Sequence, residues 1–215
     1  NSPLRKNIIN NGLQRVIFAA WENTAIAYAR LFKNFAADDI LLRYELPEIH
    51  LGHVKRKTTN FGMIQFSKIN HPDPSSGYTI DDNARAMVAL MHYERFSNKK
   101  DLSYIRTYLN FIEHCLQHDG HFLNYVDIDR NFTAQNKEVN LDDSNGRTIW
   151  ALGFLISKRD ILPEYLVHKA ESILRQTLPH IETIHSPRAM AFALKGLHYY
   201  LREVPSPKVK RLVET

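Results

Sequence analysis

The residues Leu102, Ile105, Leu109, Ile112 and Leu116 recur at three- and four-residue spacings, with Arg106, Asn110, Glu113 and Gln117 facing away. That is the pattern of a helix with one buried stripe. A second such helix opens at Pro163 and carries Leu166, Ala170, Ile173 and Leu174, with Pro179 before the next start at Ser186-Pro187. Other segments differ in kind. The helix that begins at the acids after Gly77 and runs through Met91, the run Thr148 to Ile156, and the run Ala189 to Leu194 are apolar on most sides, which predicts inner helices. Amphipathic segments alternating with all-apolar ones predict stacked αα-hairpins.

The remaining stretches fit around this frame. Residues 4 to 36 read as helix with a break near Asn10-Asn11-Gly12, and Trp21, Ala25, Tyr28, Ala29 and Phe32 share one face of the second part. A polar join at Asp38-Asp39 predicts a boundary near residue 40, after which Pro47 starts a short helix through about Arg56. Phe61, Ile64, Phe66 and Ile69 fit no helix face, so Asn60 to Ile69 reads as extended, followed by a loop to Gly77. Phe122 to Val126 has the aromatic and β-branched character of a short strand, and a polar loop follows to Asn140.

Each inner helix opens with similar polar chemistry. The first has Gly77-Tyr78-Thr79-Ile80-Asp81-Asp82-Asn83-Ala84-Arg85, the second Asp142-Asp143-Ser144-Asn145-Gly146-Arg147, and a weaker third His185-Ser186-Pro187-Arg188. Asp, Ser and Asn cap helix N-termini, and acids there suit the helix dipole. A cap does not explain the arginines, whose charge sits at the positive end of the dipole and needs a partner. Two readings fit: a shared functional cleft, or a structural ion-pair network.

Composition narrows the classes. The chain has 215 residues, 44% of them hydrophobic, enough for one good core or one domain plus part of another. Its longest apolar run, Ile149 to Ile156, is too short to span a bilayer, and no basic-then-apolar leader opens the chain. One cysteine, Cys115, makes neither a disulfide nor a Cys metal site, and a cytoplasmic setting is expected. The formal charge of +5 is spread out, apart from Lys55-Arg56-Lys57 and the tail Lys208 to Arg211, so no nucleic-acid partner is expected. His50 with His53 and His114 with His118 have helical ligand spacing but no third ligand, so neither a metal nor a cofactor is expected.

At these motifs the chain resembles the α/α-toroid domain, of six-hairpin glycosidase type, found behind family-4-like glycosyltransferase domains in bacterial carbohydrate-active proteins. The segments that carry the resemblance are Gly77 to Ala86, Tyr125 through Asp129-Arg130, Asp142 to Gly153, and Ser186 to Leu194. It covers about residues 46 to 204. The first 36 residues resemble the helices that close such a transferase. The resemblance implies an all-α fold, a partial (α/α)6 toroid of αα-hairpins with short β segments near the polar end. It implies a helical remnant over 1–40 and a partial toroid over 41–215. About three hairpins of six are expected, with no nucleotide-sugar site. Asn145 and Phe66 stand where the family pattern has histidines.

What the resemblance implies for function is a carbohydrate-active module engaging a glycan at the N-terminal ends of the inner helices. Glycoside hydrolysis commonly uses two carboxylates, one protonated and one ionised. Asp82 and Asp143 are the expected catalytic pair. Tyr78, Asp81, Asn83, Arg85, Tyr125, Asp129, Arg130, Asp142, Asn145, Arg147 and Arg188 are the expected substrate-binding set, with Trp150 as a further aromatic face. The alternative is a non-catalytic glycan-binding or structural module accessory to a glycosyltransferase. A homodimer, or a partner, would complete the ring.

Overall fold

The computed structural model describes residues 2–35, 48–95 and 101–214. The chain divides into two compact units, Asn1–Ile49 and His50–Thr215.

The first unit holds α1 (Pro3–Ile17) and α2 (Trp21–Lys33). The Ser2 side chain accepts from the Leu4 N–H and Pro3 stands in the first turn, so the start of α1 is well specified. The expected break at Asn10-Asn11-Gly12 does not occur, because a lone glycine costs a helix only about 1 kcal/mol relative to alanine. The chain breaks instead after Ile17: Ala20 is extended, and the Asn23 amide donates to the Ile17 carbonyl. Tyr28 and Phe32 pair on α2 with ring centroids 6.1 Å apart, while Trp21 is 86% exposed. The expected join at Asp38-Asp39, the boundary near residue 40 and the start at Pro47 lie outside the described residues.

The second unit contains α3 (Gly52–Lys57), α4 (Ile80–Glu94), α5 (Ser103–Cys115), α6 (Asp142–Ile156), α7 (Glu164–Ile181), α8 (Pro187–Glu203) and α9 (Pro207–Glu214). Its described residues are mostly helical, with a few short strands and no closed sheet. α6 lies at the centre and packs against α4, α7 and α8, while α5 covers α4 and touches α7, and α9 rests on α8. Burial follows the predicted alternation from α4 to α7, whereas α8, expected as a third inner helix apolar on most sides, buries one face and leaves Met190 46% and Leu194 42% exposed. Met87, Met91, Ile149, Leu152 and Leu155 of the inner helices are fully buried against Ile105, Leu109 and Ile112 of α5 and Leu166, Ala170 and Ile173 of α7. Tyr108, Phe111 and Cys115 widen the α5 stripe, and burial holds the Cys115 thiol well above its ordinary pKa.

α6 and α8 meet backbone to backbone. A Cβ at Gly153 would lie 2.0 Å from the Gly196 carbonyl oxygen, one at Gly196 2.3 Å from that of Ile149, and one at Gly146 2.4 Å from that of Ala189. Only residues without side chains allow this approach.

The connections into the inner helices carry the short strands. β1 (Ser67–Lys68) pairs with β2 (His71–Pro72), and β3 (Tyr78–Thr79) pairs antiparallel with β4 (Tyr125–Val126). The expected strand over Phe122 to Val126 is thus shorter, because the main chain of Phe122 bonds to a side chain instead of a strand. Gly77 joins loop to β3 at a φ of +64°, and a Cβ there would meet the Val126 carbonyl oxygen at 2.3 Å. The short helix expected from Pro47 starts only at Gly52. α7 continues through Pro179, which has no N–H to donate to the carbonyl of Arg175, and the helix ends two residues later. Among the described residues no helix is long and apolar enough to cross a membrane.

Candidate functional site at the inner-helix ends

The two asparagines of the acidic motifs define how the motifs correspond. The N–H of Met63 donates to Asn83 Oδ1 at 2.8 Å, and Asn83 Nδ2 donates to the carbonyls of Thr79 (2.8 Å) and Met63 (3.4 Å). Asn145 repeats this with Phe122 N–H at 2.7 Å, and with the Phe122 and Leu141 carbonyls both at 2.9 Å. Each amide ties the extended segment before its helix to the helix's first turn. Both side chains are buried, and both ends of each amide bond to main chain. Asn83 and Asn145 are therefore clamps of the fold, which corrects their expected role as substrate ligands.

With Asn83 matched to Asn145, and Arg85 to Arg147, Asp81 falls on Asp143 and Asp82 on Ser144. The expected pairing of Asp82 with Asp143 is thus out of register. The bonding agrees with the new one. Asp81 accepts from Arg85 of its own helix at 2.9 Å and forms an ion pair with Arg147 of the next at 3.4 Å. Asp143 forms an ion pair with Arg147 at 2.9 Å and accepts from Arg188 of the next helix at 2.6 Å. Asp82 is held by Arg85 and by the Thr79 hydroxyl at 2.8 Å. The result is a ladder, Arg85–Asp81–Arg147–Asp143–Arg188, across the N-terminal ends of α4, α6 and α8. It answers the charge problem posed by each arginine at a positive helix end.

Burial pushes the Asp81 carboxyl above the usual carboxylate range; Arg85 and Arg147 pull it down, and neighbouring Asp82 adds to the rise. The side chains of Asp81 and Asp143 keep about a quarter of their surface in solvent, and that of Arg147 17%. Opposed acids and forked donors, partly open, can bind hydroxyl groups as both donor and acceptor.

The other expected residues sit elsewhere. Tyr78 is 4% exposed, its ring edge-on to Phe61 and its hydroxyl 3.2 Å from that of Thr59, so it belongs to the core and not to a sugar face. Asp142 is spent on the chain entering α8, accepting from the N–H groups of His185 (3.2 Å) and Ser186 (3.1 Å). Tyr125 is half-buried in β4, with its N–H donated to Asn136. Arg130, at a φ of +71°, lies over the Phe61 ring and donates to Asn60, while Asp129 is exposed in the same turn. None of these five bonds to the ladder.

A second set of residues descends from the ladder at helical spacing. Below Asp81 and Arg85, α4 presents Ala89 and His92; below Asp143 and Arg147, α6 presents Trp150 and Phe154; below Arg188, α8 presents Phe192, Lys195 and Tyr199. Trp150 stacks on Phe192 at 5.6 Å, Lys195 Nζ lies 4.3 Å over Trp150, and Arg147 lies 5.2 Å over Phe192. His92 packs on Phe154 at 4.7 Å, Lys158 Nζ lies 4.7 Å from that ring's centroid, and Tyr199 meets its edge. Sequence reading named Trp150 but missed the rest. Steps of three and four residues down from each motif arginine were the available signal.

Taken together, these features define an array of helical hairpins with a polar ladder at one end of its inner helices and an aromatic, basic face beneath it. No protein-family model and no curated protein matches the chain.

Proposed function

We propose that the chain is a carbohydrate-active module, part of an α/α-toroid, that binds a glycan at the N-terminal ends of α4, α6 and α8. The observation that carries this reading is the partly open ladder from Arg85 to Arg188, which sets alternating carboxylates and guanidinium groups beside aromatic rings. Sugar hydroxyls need both donors and acceptors, and sugar ring faces need apolar cover. The resemblance of the motifs to toroid domains, and the packing of outer α5 and α7 on inner α4 and α6, support the same reading.

Binding without turnover is the better-supported form, because Asp82 and Asp143, the expected catalytic pair, are both held as ion-paired acceptors. A single observation favours hydrolysis: burial raises the Asp81 carboxyl above the usual carboxylate range against the pull of Arg85 and Arg147, which is the direction a general acid needs. If the module hydrolyses, Asp81 is the proton donor and Asp143 the ionised partner. Screening a neutral and acidic oligosaccharide panel for binding and for released reducing ends tests this. Binding abolished by Asp143→Asn and by Arg147→Met supports the module; turnover lost in Asp81→Asn with binding kept supports the enzyme. Failure of every saccharide to bind overturns both.

A cytoplasmic protein accessory to a glycosyltransferase, completed by a second copy or a partner, is the setting this reading implies. Met190 and Leu194 of α8 are exposed and, with Ile181, Leu212 and Val213, line an apolar hollow that supports a covering partner. Light scattering tests it: a species near twice the 25.0 kDa chain mass would support closure by a second copy.

A further inference from the structure

Among the described residues, the face beneath the ladder gathers cations with no carboxylate paired to them. Lys195 and Lys158 are held over aromatic rings and form no ion pair among the described residues. His92 of α4 stands near both lysines and near Arg95, and burial followed by Lys158, Arg95 and Lys195 holds it below its ordinary pKa. No carboxylate occupies the descending positions 85, 89 and 92 of α4, 147, 150 and 154 of α6, or 188, 192, 195 and 199 of α8. Arginines and acids alternate along the ladder, so that end is close to neutral; the face below it is not. Cations gathered without an acid repel one another, and cation–π contact, together with the C-terminal ends of α4 and α6, offsets this only in part. An anion placed among them would relieve the repulsion.

We propose that this face takes the anionic group of an acidic saccharide, with Lys158 and Lys195 meeting the charge while the half-buried Trp150 and Phe192 rings floor the site. The assignment rests on the glycan-binding reading and sharpens it: the ligand is a sugar bearing carboxylate, sulfate or phosphate, and its neutral residues reach towards the ladder. Aromatic rings fix the lysine ends on one side, so little side-chain freedom is lost when the anion binds.

The chain's two tryptophans make the test direct. In a Trp21→Phe background Trp150 is the sole reporter, and its fluorescence follows titration with a galacturonic acid hexamer, a neutral glucose hexamer of similar length, or inorganic phosphate. The acidic hexamer is expected to bind about tenfold or more tightly than the neutral one at low salt. Salt should erase the difference, since exposed charges are screened. The double variant Lys158→Gln/Lys195→Gln should lose about tenfold for the acidic hexamer and nothing for the neutral one. Both lysines are at least partly exposed, so the variant should keep the parent's thermal transition; if it does not, Lys195→Gln alone is the test. Equal affinity for both hexamers would overturn the anionic assignment and leave glycan binding standing. Phosphate binding as tightly as the acidic hexamer would overturn the saccharide part. Silence with all three would overturn the proposal together with the reading it rests on.

Discussion

Replacing Asn145 by alanine removes three hydrogen bonds at once, from Phe122 N–H and to the Phe122 and Leu141 carbonyls. The Leu141 carbonyl keeps other partners in the Ser144 hydroxyl and the Asn145 N–H, so its loss is minor. Phe122 is fully buried, and water does not easily replace the amide there. An unsatisfied buried donor or acceptor costs about 1–3 kcal/mol, so the two Phe122 groups together set an expected loss of about 2–5 kcal/mol. For a chain of this size each kcal/mol is worth roughly 2–4 °C, which gives a fall in melting temperature of roughly 4–20 °C. Thermal unfolding by circular dichroism, with urea titration beside it, reads the change. Asn83→Ala should behave alike, because Asn83 clamps Met63 in the same way. Asn110→Ala, which loses only an exposed contact with Lys169, should stay within about 0.5 kcal/mol. A melting point for Asn145→Ala within a degree of the parent would refute the clamp, and with it the register that matches Asp81 to Asp143.

Further outcomes are expected. Gly153→Ala drives a Cβ into the Gly196 carbonyl, and with main chain on both sides the loss should reach or pass the usual overpacking range of about 1–3 kcal/mol, read by urea unfolding. His92 and His180 both have pKa values below 6.5, so their contribution to stability is complete above 6.5 and lost as pH falls through it towards the folded values. Melting temperatures measured from neutral to mildly acid pH should fall, and His92→Gln/His180→Gln should flatten that slope. Binding of the galacturonic acid hexamer should strengthen over the same pH interval as His92 charges beside Lys158, Arg95 and Lys195, and His92→Gln should remove the gain. Gly77→Ala should destabilise the β3 turn, since its positive φ and the Val126 carbonyl both exclude a side chain.

Much of the architecture was legible because burial in helices follows apolar spacing. Leu109 and Ile112 on one stripe, and the all-apolar run from Thr148, placed outer and inner helices correctly. Local order was harder. Asn10-Asn11-Gly12 looked like a break, yet the break came at Phe18–Ala20, which no glycine or proline marks. The acids were recognised as a group, but their register was not, because two adjacent Asp residues in each motif permit two alignments. The buried amides choose between them, and burial of an Asn is not written in its neighbours. Tyr78 failed as a sugar face for a related reason: tyrosine serves core and surface equally, and only its packing on Phe61 decides. Lys158 and Lys195 look like ordinary surface charges until three helices bring them to one face.

The glycine seam between α6 and α8 bears on mechanics. Where side chains separate two helices, each can slide slightly as rotamers change, and the interface yields like a lubricated joint. At Gly146, Gly153 and Gly196 nothing lies between the two main chains, and a shift of one residue would drive Arg147, Phe154 or Leu197 into a carbonyl. The two helices therefore act as a single stiff plate carrying Arg147, Trp150, Arg188, Phe192 and Lys195 as fixed points. Compliance is left to the side-chain-filled interface between α6 and α4, so a bound molecule that widens or narrows the face does so by moving Arg85 and His92 against that plate.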